Sequence, residues 1–317
     1  MKVLFTADWH IKLGQKNVPV EWQKNRYKML FRKIADLQPT VDLIIIGGDI
    51  FDKLPTLEEL ELYFWFLPLI DTDTIIYDGN HEATKRGHTF LTKLQHATDS
   101  INKKVKILGG SHYSPDWAYD LDVIPYTNLK DIKDFEPHSK ILCTHVRGEI
   151  PPHVKPEIDL DLLNKWEVVL AGDLHSYENS QRNIIYPGSP LSTSFHRSPI
   201  TNGVIIFDTD TLEHEFIPLK LPQLIRKTVE NPDDMVPTDF DHTIYEITGN
   251  IMDLANLDMN AEHIDKKIVQ KDTERSLNLE NKSIAEELVE YLQTVQKLDK
   301  VDIEDILQVY HDYIEAD

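Results

Sequence analysis

Several short apolar runs in the first two-thirds of this chain end on a metal-competent side chain, and that repeated layout constrains the fold more than any other feature. Residues 3–6 lead into Asp8-Trp9-His10, and 43–47 lead into Gly48-Asp49-Ile50-Phe51-Asp52. Residues 74–77 lead into Asp78-Gly79-Asn80-His81-Glu82, 140–144 into His145, and 168–171 into Gly172-Asp173-Leu174-His175. An apolar run of four or five residues that stops at Gly, Asp or Asn reads as a buried strand followed by a loop. Open α/β sheets build their sites at such strand ends.

Taken singly, each motif has an ordinary explanation. Asp8 fits a capping aspartate, Gly79-Asn80 a plain turn, and His145 or His175 a satisfied structural histidine. Their joint occurrence points to a common site. Side chains two apart at a strand end face the same side, so Asp8 and His10 form a natural pair for a cation. The glycines allow close approach of backbone and ligand. Asp49 has two oxygens with which to bridge two ions, Asn80 offers an amide oxygen, and His81 is placed to protonate a leaving oxygen. Carboxylate and amide oxygens mixed with imidazole suit Mn²⁺, Fe²⁺, Zn²⁺ or Mg²⁺ rather than Ca²⁺ or copper. Two such ions ~3.5–4 Å apart clamp a phosphate and activate water for in-line attack.

Further strand-like runs occupy 105–108, 121–124, 183–186, 204–207 and 215–218, and helical spacing covers 25–37 and 56–70. The alternation predicts an α/β fold of two stacked mixed β-sheets flanked by helices over 1–220. The later strands lie close together, which suggests that the second sheet is the more antiparallel. A change near Leu221-Pro222 marks a small α+β capping domain over 221–272, with strands at 242–248 and 263–269 around a helical piece at 251–257. Over 273–317 two apolar stripes, Ile284, Leu288, Leu292, Val295 and then Ile303, Ile306, Leu307, Tyr310, Tyr313, Ile314, predict a helical hairpin turning at 297–300.

The formal net charge of −21 at pH 7 opposes a general attraction to nucleic acid, so contact with DNA has to be local, through cations and basic loops, or shared with a partner. Cys143, the single cysteine, excludes an internal disulfide and fits a reducing compartment. Nothing resembles a signal peptide, and no apolar run approaches the ~20 residues of a membrane span. A soluble cytoplasmic protein is expected.

The motif set resembles the calcineurin-like metallophosphoesterase superfamily, whose pattern D-x-H, G-D-x-x-D, G-N-H-[DE], H and G-H-x-H covers residues 1 to about 218. The resemblance implies that Asp8, His10, Asp49 and His175 hold one divalent metal. Asp49, Asn80, His145 and Asp173 would hold a second, with Asp49 as the bridge. It implies Mn²⁺ foremost, with Mg²⁺, Fe²⁺ or Zn²⁺ as alternatives. Asp173 stands where the family usually carries histidine. His81 matches the family's catalytic histidine, and Asp52 is the residue expected to pair with it and keep it protonated. Arginines that clamp a terminal phosphate in the superfamily's protein phosphatases are missing beside Asp52 and His81, which favours a phosphodiester over a phosphomonoester.

Within the superfamily the chain resembles SbcD-type nuclease subunits, in particular the small subunits of phage recombination endonucleases. The residues that carry this are the strand opening at Met1, the loop Tyr186-Pro187-Gly188-Ser189-Pro190, the strand pair 203–208 and 213–216, and the cap and tail behind them. The resemblance implies an exonuclease and endonuclease acting in DNA repair or recombination, in a host cytoplasm if phage-encoded. It also implies an SbcC-type coiled-coil ATPase bound through the C-terminal helices. A homodimer is implied through helices beside the metal site, where Leu57, Leu60, Tyr63, Phe64 and Leu67 supply an apolar face. Basic residues near the motifs, Lys12, Lys16, Lys53, Lys85, Arg86, Arg147 and Arg197, are the candidate DNA contacts. Two other readings remain open at this point: a stand-alone metallophosphatase or nucleotide phosphodiesterase, and an inactive regulatory protein whose site has decayed.

Overall fold

A computed structural model describes residues 1–84, 88–109, 119–229, 234–236, 238, 240–247 and 282–314. The described residues belong to two compact units, one holding Met1–Lys227 with Met235–Tyr245 and one holding the C-terminal helices.

The first unit is built on two sheets. Strands β1 (Lys2–Thr6), β2 (Leu43–Gly47), β3 (Thr74–Tyr77) and β4 (Val105–Leu108) run parallel in that order. The antiparallel strands β9 (Gly203–Asp208) and β10 (His214–Pro218) extend this sheet on the free side of β1. The second sheet holds β5 (Asp122–Ile124), β6 (Ile141–His145), β7 (Val168–Gly172) and β8 (Ile184–Ile185), and it is parallel throughout. The antiparallel character expected of the second sheet therefore belongs to the first. Each later strand from β5 to β8 is separated by a crossover, the 3₁₀ segments Tyr126–Asp134 and Leu160–Lys165 among them, and such crossovers return the chain in the same direction.

The sheets stack face to face. Val3, Phe5, Leu43, Ile45, Ile75 and Tyr77 of the first pack in one buried cluster with Val123, Ile141, Cys143 and Leu170 of the second. The Tyr77 hydroxyl donates to the Thr144 carbonyl at 2.9 Å, joining the layers. The alternate residues Leu4, Ile44, Ile46 and Ile76 face α1 (Val20–Leu37) and α2 (Leu57–Phe66) on the other side. Burial on both faces is why β2 reads Leu-Ile-Ile-Ile-Gly with no polar alternation. A matching layer formed by Leu160, Leu163 and Trp166 covers Leu142, Val169 and Ala171 on the far face of the second sheet.

Helix α1 begins five residues before its apolar periodicity announces it, because buried Gln23 occupies a core-facing position in its first turn, followed by buried Arg26 in the next. Gln23 donates to the carbonyls of Leu13 and Val18, and Arg26 donates to the Ser192 carbonyl. Helix α2 opens on a capping box between Thr56 and Glu59 and stops at Phe66. A 3₁₀ turn, Leu67–Leu69, follows around Pro68, which has no N–H to continue an α-helix. Helix α3 (Gln95–Ile101) packs beside β4.

Strands β11 (Leu224–Val229) and β12 (His242–Ile247) form a two-stranded sheet. The expected cap elements at 251–257 and 263–269 lie outside the described residues. The C-terminal hairpin is present as α4 (Ile284–Thr294), capped by Ser283 and Glu286, and α5 (Lys300–Ile314). Leu292 and Ile303 are buried, whereas Ile284, Val295, Ile306 and Val309 are exposed.

Candidate active site

The carboxyl ends of β1, β2 and β3 from one sheet and of β6 and β7 from the other converge, and every nominated ligand comes with them. Pairing between β1 and β2 continues past the strands: Asp8 N–H donates to Gly48 O at 3.0 Å, His10 N–H to Asp49 O at 2.9 Å and Ile11 N–H to Ile50 O at 2.7 Å. This extension is not regular strand. Asp8, His10, Asp49 and Asp173 have φ of +56°, +46°, +52° and +103°, a region that non-glycine residues rarely enter. Each such residue costs on the order of 1–3 kcal/mol, and strain of this kind gathers at functional sites. It is held by the buried strands on either side.

Asp49 is the centre of the arrangement. Its Oδ2 lies 3.6 Å from His10 Nε2 and 3.6 Å from His145 Nε2, between two groups of ligands. On one side, Asp8, His10 and His175 each offer an atom to a common point, and the Nε2 atoms of His10 and His175 stand 3.0 Å apart. On the other side, His145 Nε2 faces Asn80 Oδ1 at 3.0 Å and Asp173 Oδ1 at 3.9 Å. The Gly47 carbonyl accepts from His145 Nδ1 at 2.8 Å, which turns Nε2 inward.

Glycine is required where these loops touch. A Cβ on Gly48 would stand 2.5 Å from His145 Nδ1, and one on Gly79 would stand 2.6 Å from the Asp49 nitrogen. Glu82, given no role from the sequence although it closes the Gly-Asn-His-Glu motif, is fully buried and ties the loops together. Its carboxylate accepts from Asp49 N at 2.9 Å, Phe51 N at 2.9 Å and Gly79 N at 2.8 Å. Asp78 likewise accepts from Thr127 N at 3.0 Å and from the Thr127 hydroxyl.

The electrostatics call for a cation. Burial pushes the Asp8 carboxyl upward, and the like charges of Asp49 and Asp173 add to this against the pull of His145. Burial, then the neighbouring rings of His175, His81 and His145, push His10 down to about 2, so it remains neutral with a lone pair to offer. For His145, burial favours the neutral ring, but the carboxylates of Asp49, Asp8 and Asp173 outweigh it and raise the pKa to about 9. Concentrated buried carboxylate with inward-facing imidazole nitrogens fits divalent cations in donor type and in charge.

Two pairings differ from the sequence expectation. His81 packs edge-on to His10, and its backbone N–H donates to Asp49 Oδ1 at 2.9 Å. Its Nδ1, however, lies 2.6 Å from the backbone carbonyl of Asp52, not from the Asp52 carboxylate. That carboxylate turns instead to Lys12 Nζ at 2.8 Å and His10 Nδ1 at 3.8 Å. Asp173 is gripped by Arg147, Nε to Oδ2 at 3.0 Å and Nη2 to Oδ1 at 3.2 Å. Of the basic residues, Lys12 and Arg147 thus have carboxylate partners within the chain. Lys16, Lys53 and Arg197 are exposed, and Lys85 and Arg86 lie outside the described residues.

Residues 1–199 match the family model for the calcineurin-like phosphoesterases. The chain belongs to that family. It is accordingly a metal-dependent phosphoesterase, and its similarity to one relative runs nearly end to end. The chain is 44% identical to the "probable exonuclease subunit 1" of Escherichia phage T5, over 97% of each chain. Among solved structures it is similar to an archaeal phosphodiesterase at 17% identity, covering 69% of this chain and 100% of that one with a TM-score of 0.39. A second is TT1561 of Thermus thermophilus at 12% identity, covering 68% and 98% with a TM-score of 0.42. Both structural likenesses are too remote to bear on chemistry. No described helix is long and apolar enough to cross a membrane.

Proposed function

We propose that this phosphoesterase is the nuclease subunit of an SbcCD-like DNA repair and recombination complex, hydrolysing DNA phosphodiester bonds as an exonuclease and endonuclease. The observation that carries the two-metal part of this reading is Asp49 Oδ2, equidistant from an imidazole of each ligand group. In this reading Asp8, His10, Asp49 and His175 hold one divalent ion, and Asp49, Asn80 and His145 hold the other beside Asp173. The ions, Mn²⁺ foremost, supply polarisation of the phosphate and activation of the attacking water. His81 carries the proton for the leaving oxygen at Nε2, its ring oriented by the Asp52 carbonyl.

A diester is favoured over a monoester because the guanidinium of Arg147, beside the ligands, is occupied by Asp173, and that of Arg26, near His10, is committed to Ser192, so neither is presented as a free phosphate fork. The nuclease reading is supported by the exonuclease name of the phage relative. That relative's being a subunit supports a partner, for which we propose an SbcC-type coiled-coil ATPase seated on α4 and α5, where Ile284, Val295, Ile306 and Val309 are exposed. A homodimer through α2 and the loop before it is supported by Leu54 and Leu57, which are 71% and 82% exposed, while Tyr63 and Leu67 are taken up by the core. We place the protein in the cytoplasm of a host cell. Lys16, Lys53 and Arg197 remain the proposed backbone contacts for DNA.

The decisive experiment is degradation of duplex and single-stranded DNA with Mn²⁺ by the wild type, Asp49→Ala and His81→Ala. Loss of cleavage in both variants is expected. Equal rates for wild type and Asp49→Ala would overturn the reading.

A further inference from the structure

Beside His175 the first unit has a cleft of about 650 Å³. That volume lies within the range of small-ligand sites, room for a base and its sugar rather than for a duplex. We propose that it seats the nucleoside attached to the scissile phosphate, so that the enzyme takes the strand it cuts with that nucleotide out of the helical stack. This rests on the phosphodiesterase reading above and adds to it what lies beside the phosphate.

The chemistry of the walls selects the ligand. Among the described lining residues there is no lysine or arginine, and Glu178 is the only carboxylate. A phosphate placed there would meet no compensating charge, so the cleft suits the uncharged part of a nucleotide. Tyr177 and Phe216 line it as a stacked pair, ring centroids 4.6 Å apart and 27° between planes, and Tyr177 is fixed by a contact between its hydroxyl and His214 Nε2 at 3.0 Å. Around these rings stand amides and hydroxyls, Asn179, Ser194 and Thr201 among them, that match the polar edges of a base and the oxygens of a sugar. Aromatic surface with neutral donors and acceptors is how proteins hold unstacked bases.

The cleft is also built into the metal-site framework. Thr193 lines it and meets His175 Nδ1 through its hydroxyl at 3.2 Å. Buried Ser189 forms another part of the wall, its hydroxyl 2.7 Å from the Asp8 carbonyl and 2.6 Å from that of Leu191. Asn202 donates to the Ser189 carbonyl at 2.6 Å. A nucleoside in the cleft is therefore indexed to Asp8 and His175, two of the residues proposed to hold the first metal ion.

The test compares two esters with the same leaving group, thymidine 5′-(p-nitrophenyl phosphate) and bis(p-nitrophenyl) phosphate, in Mn²⁺. The enzymes are the wild type, Ser194→Trp and Asn179→Trp, with folding checked by circular dichroism. The wild type is expected to show a KM for the thymidine ester about fivefold or more lower, and each tryptophan to raise that KM about tenfold while the rate on the bis ester stays within about twofold. Saturation-transfer NMR of thymidine alone should give a signal with the wild type that both variants lose. No preference for the thymidine ester, or equal effects of the variants on both esters, overturns the proposal. Should neither ester turn over, the phosphodiesterase reading fails, and the thymidine signal alone decides the cleft.

Discussion

Arg147 and Asp173 form a two-pronged ion pair at the edge of the metal site, with N···O distances of 3.0 and 3.2 Å. Asp173 occupies the position where the family pattern has a neutral histidine, and Arg147 returns the local charge toward that of a neutral residue. The carboxylate is almost wholly buried, whereas the guanidinium is 39% exposed, so solvent weakens the compensation without removing it. The pair makes opposite predictions for its two halves. Arg147→Gln leaves a net negative charge beside His145 and should tighten Mn²⁺ bound on the proposed second site by about tenfold. Asp173→Asn leaves an unbalanced guanidinium and should loosen it by a similar factor. Titration calorimetry of Mn²⁺ into each protein checks both signs, and a shift in the same direction for both variants would contradict the account.

Gly79 makes a second prediction. Its α-carbon lies against Asp49 so closely that an added methyl would stand 2.6 Å from the Asp49 nitrogen and 2.8 Å from its Cγ. Backbone cannot yield there without moving β2 or β3, so Gly79→Ala should displace the Asp49 carboxylate. Misplacement of a reacting group by about 1 Å is worth roughly a hundredfold in rate. We expect a loss of that size in Mn²⁺-dependent ester hydrolysis, with the far-ultraviolet circular dichroism spectrum unchanged.

Glu82 holds the same two loops by hydrogen bonds. Burial, with Asp49 nearby, pushes its carboxyl up toward protonation, while the backbone N–H groups of Phe51 and Gly79 favour the anion. Glu82→Gln keeps the shape but turns an NH₂ group toward one set of donors. A buried donor left without an acceptor costs about 1–3 kcal/mol, so the midpoint of urea unfolding should fall accordingly. The variant should also bind Mn²⁺ more weakly, because Asp49 loses its anchor. Unchanged unfolding would mean that the three N–H contacts contribute little.

These cases show which parts of the molecule were legible in the sequence. Strand ends with Asp, Asn or His could be read because buried parallel strands are uniformly apolar and the ligands break that pattern sharply, as at Gly47-Gly48-Asp49. The direction of the later strands was not legible, since an apolar run of two to five residues carries no sign of its partner: β8 is Ile184–Ile185 alone. Helix α1 was read short because Gln23, buried and hydrogen-bonded to backbone carbonyls, looks like a surface residue in a list of letters. The pairing of Asp52 was misjudged for a related reason. Spacing from Asp49 brings the residue to His81, but whether its carboxylate or its carbonyl faces the ring depends on Lys12, which draws the carboxylate away. Glu82 carried a signal in its place directly after His81, and its reach to three separate nitrogens needed coordinates.

Cys143 offers a reporter for the contact between the two sheets. It sits on β6, fully buried among Val3, Phe5, Ile45 and Tyr77 of the facing sheet and its own neighbours. Burial, and secondarily the charge of Asp122, push its thiol pKa well above the ordinary value. Thiolate is the reactive form, so both its low population and the closed packing protect it. In native protein at neutral pH a disulfide reagent such as dithiobis-nitrobenzoate should therefore find no thiol over the time in which unfolded protein yields one equivalent. Labelling measured through a urea titration should rise together with tryptophan fluorescence if the sheets separate in the same step as the rest of the first unit melts. Rapid labelling without denaturant would show instead that the sandwich opens at β6 while the remaining structure stays folded.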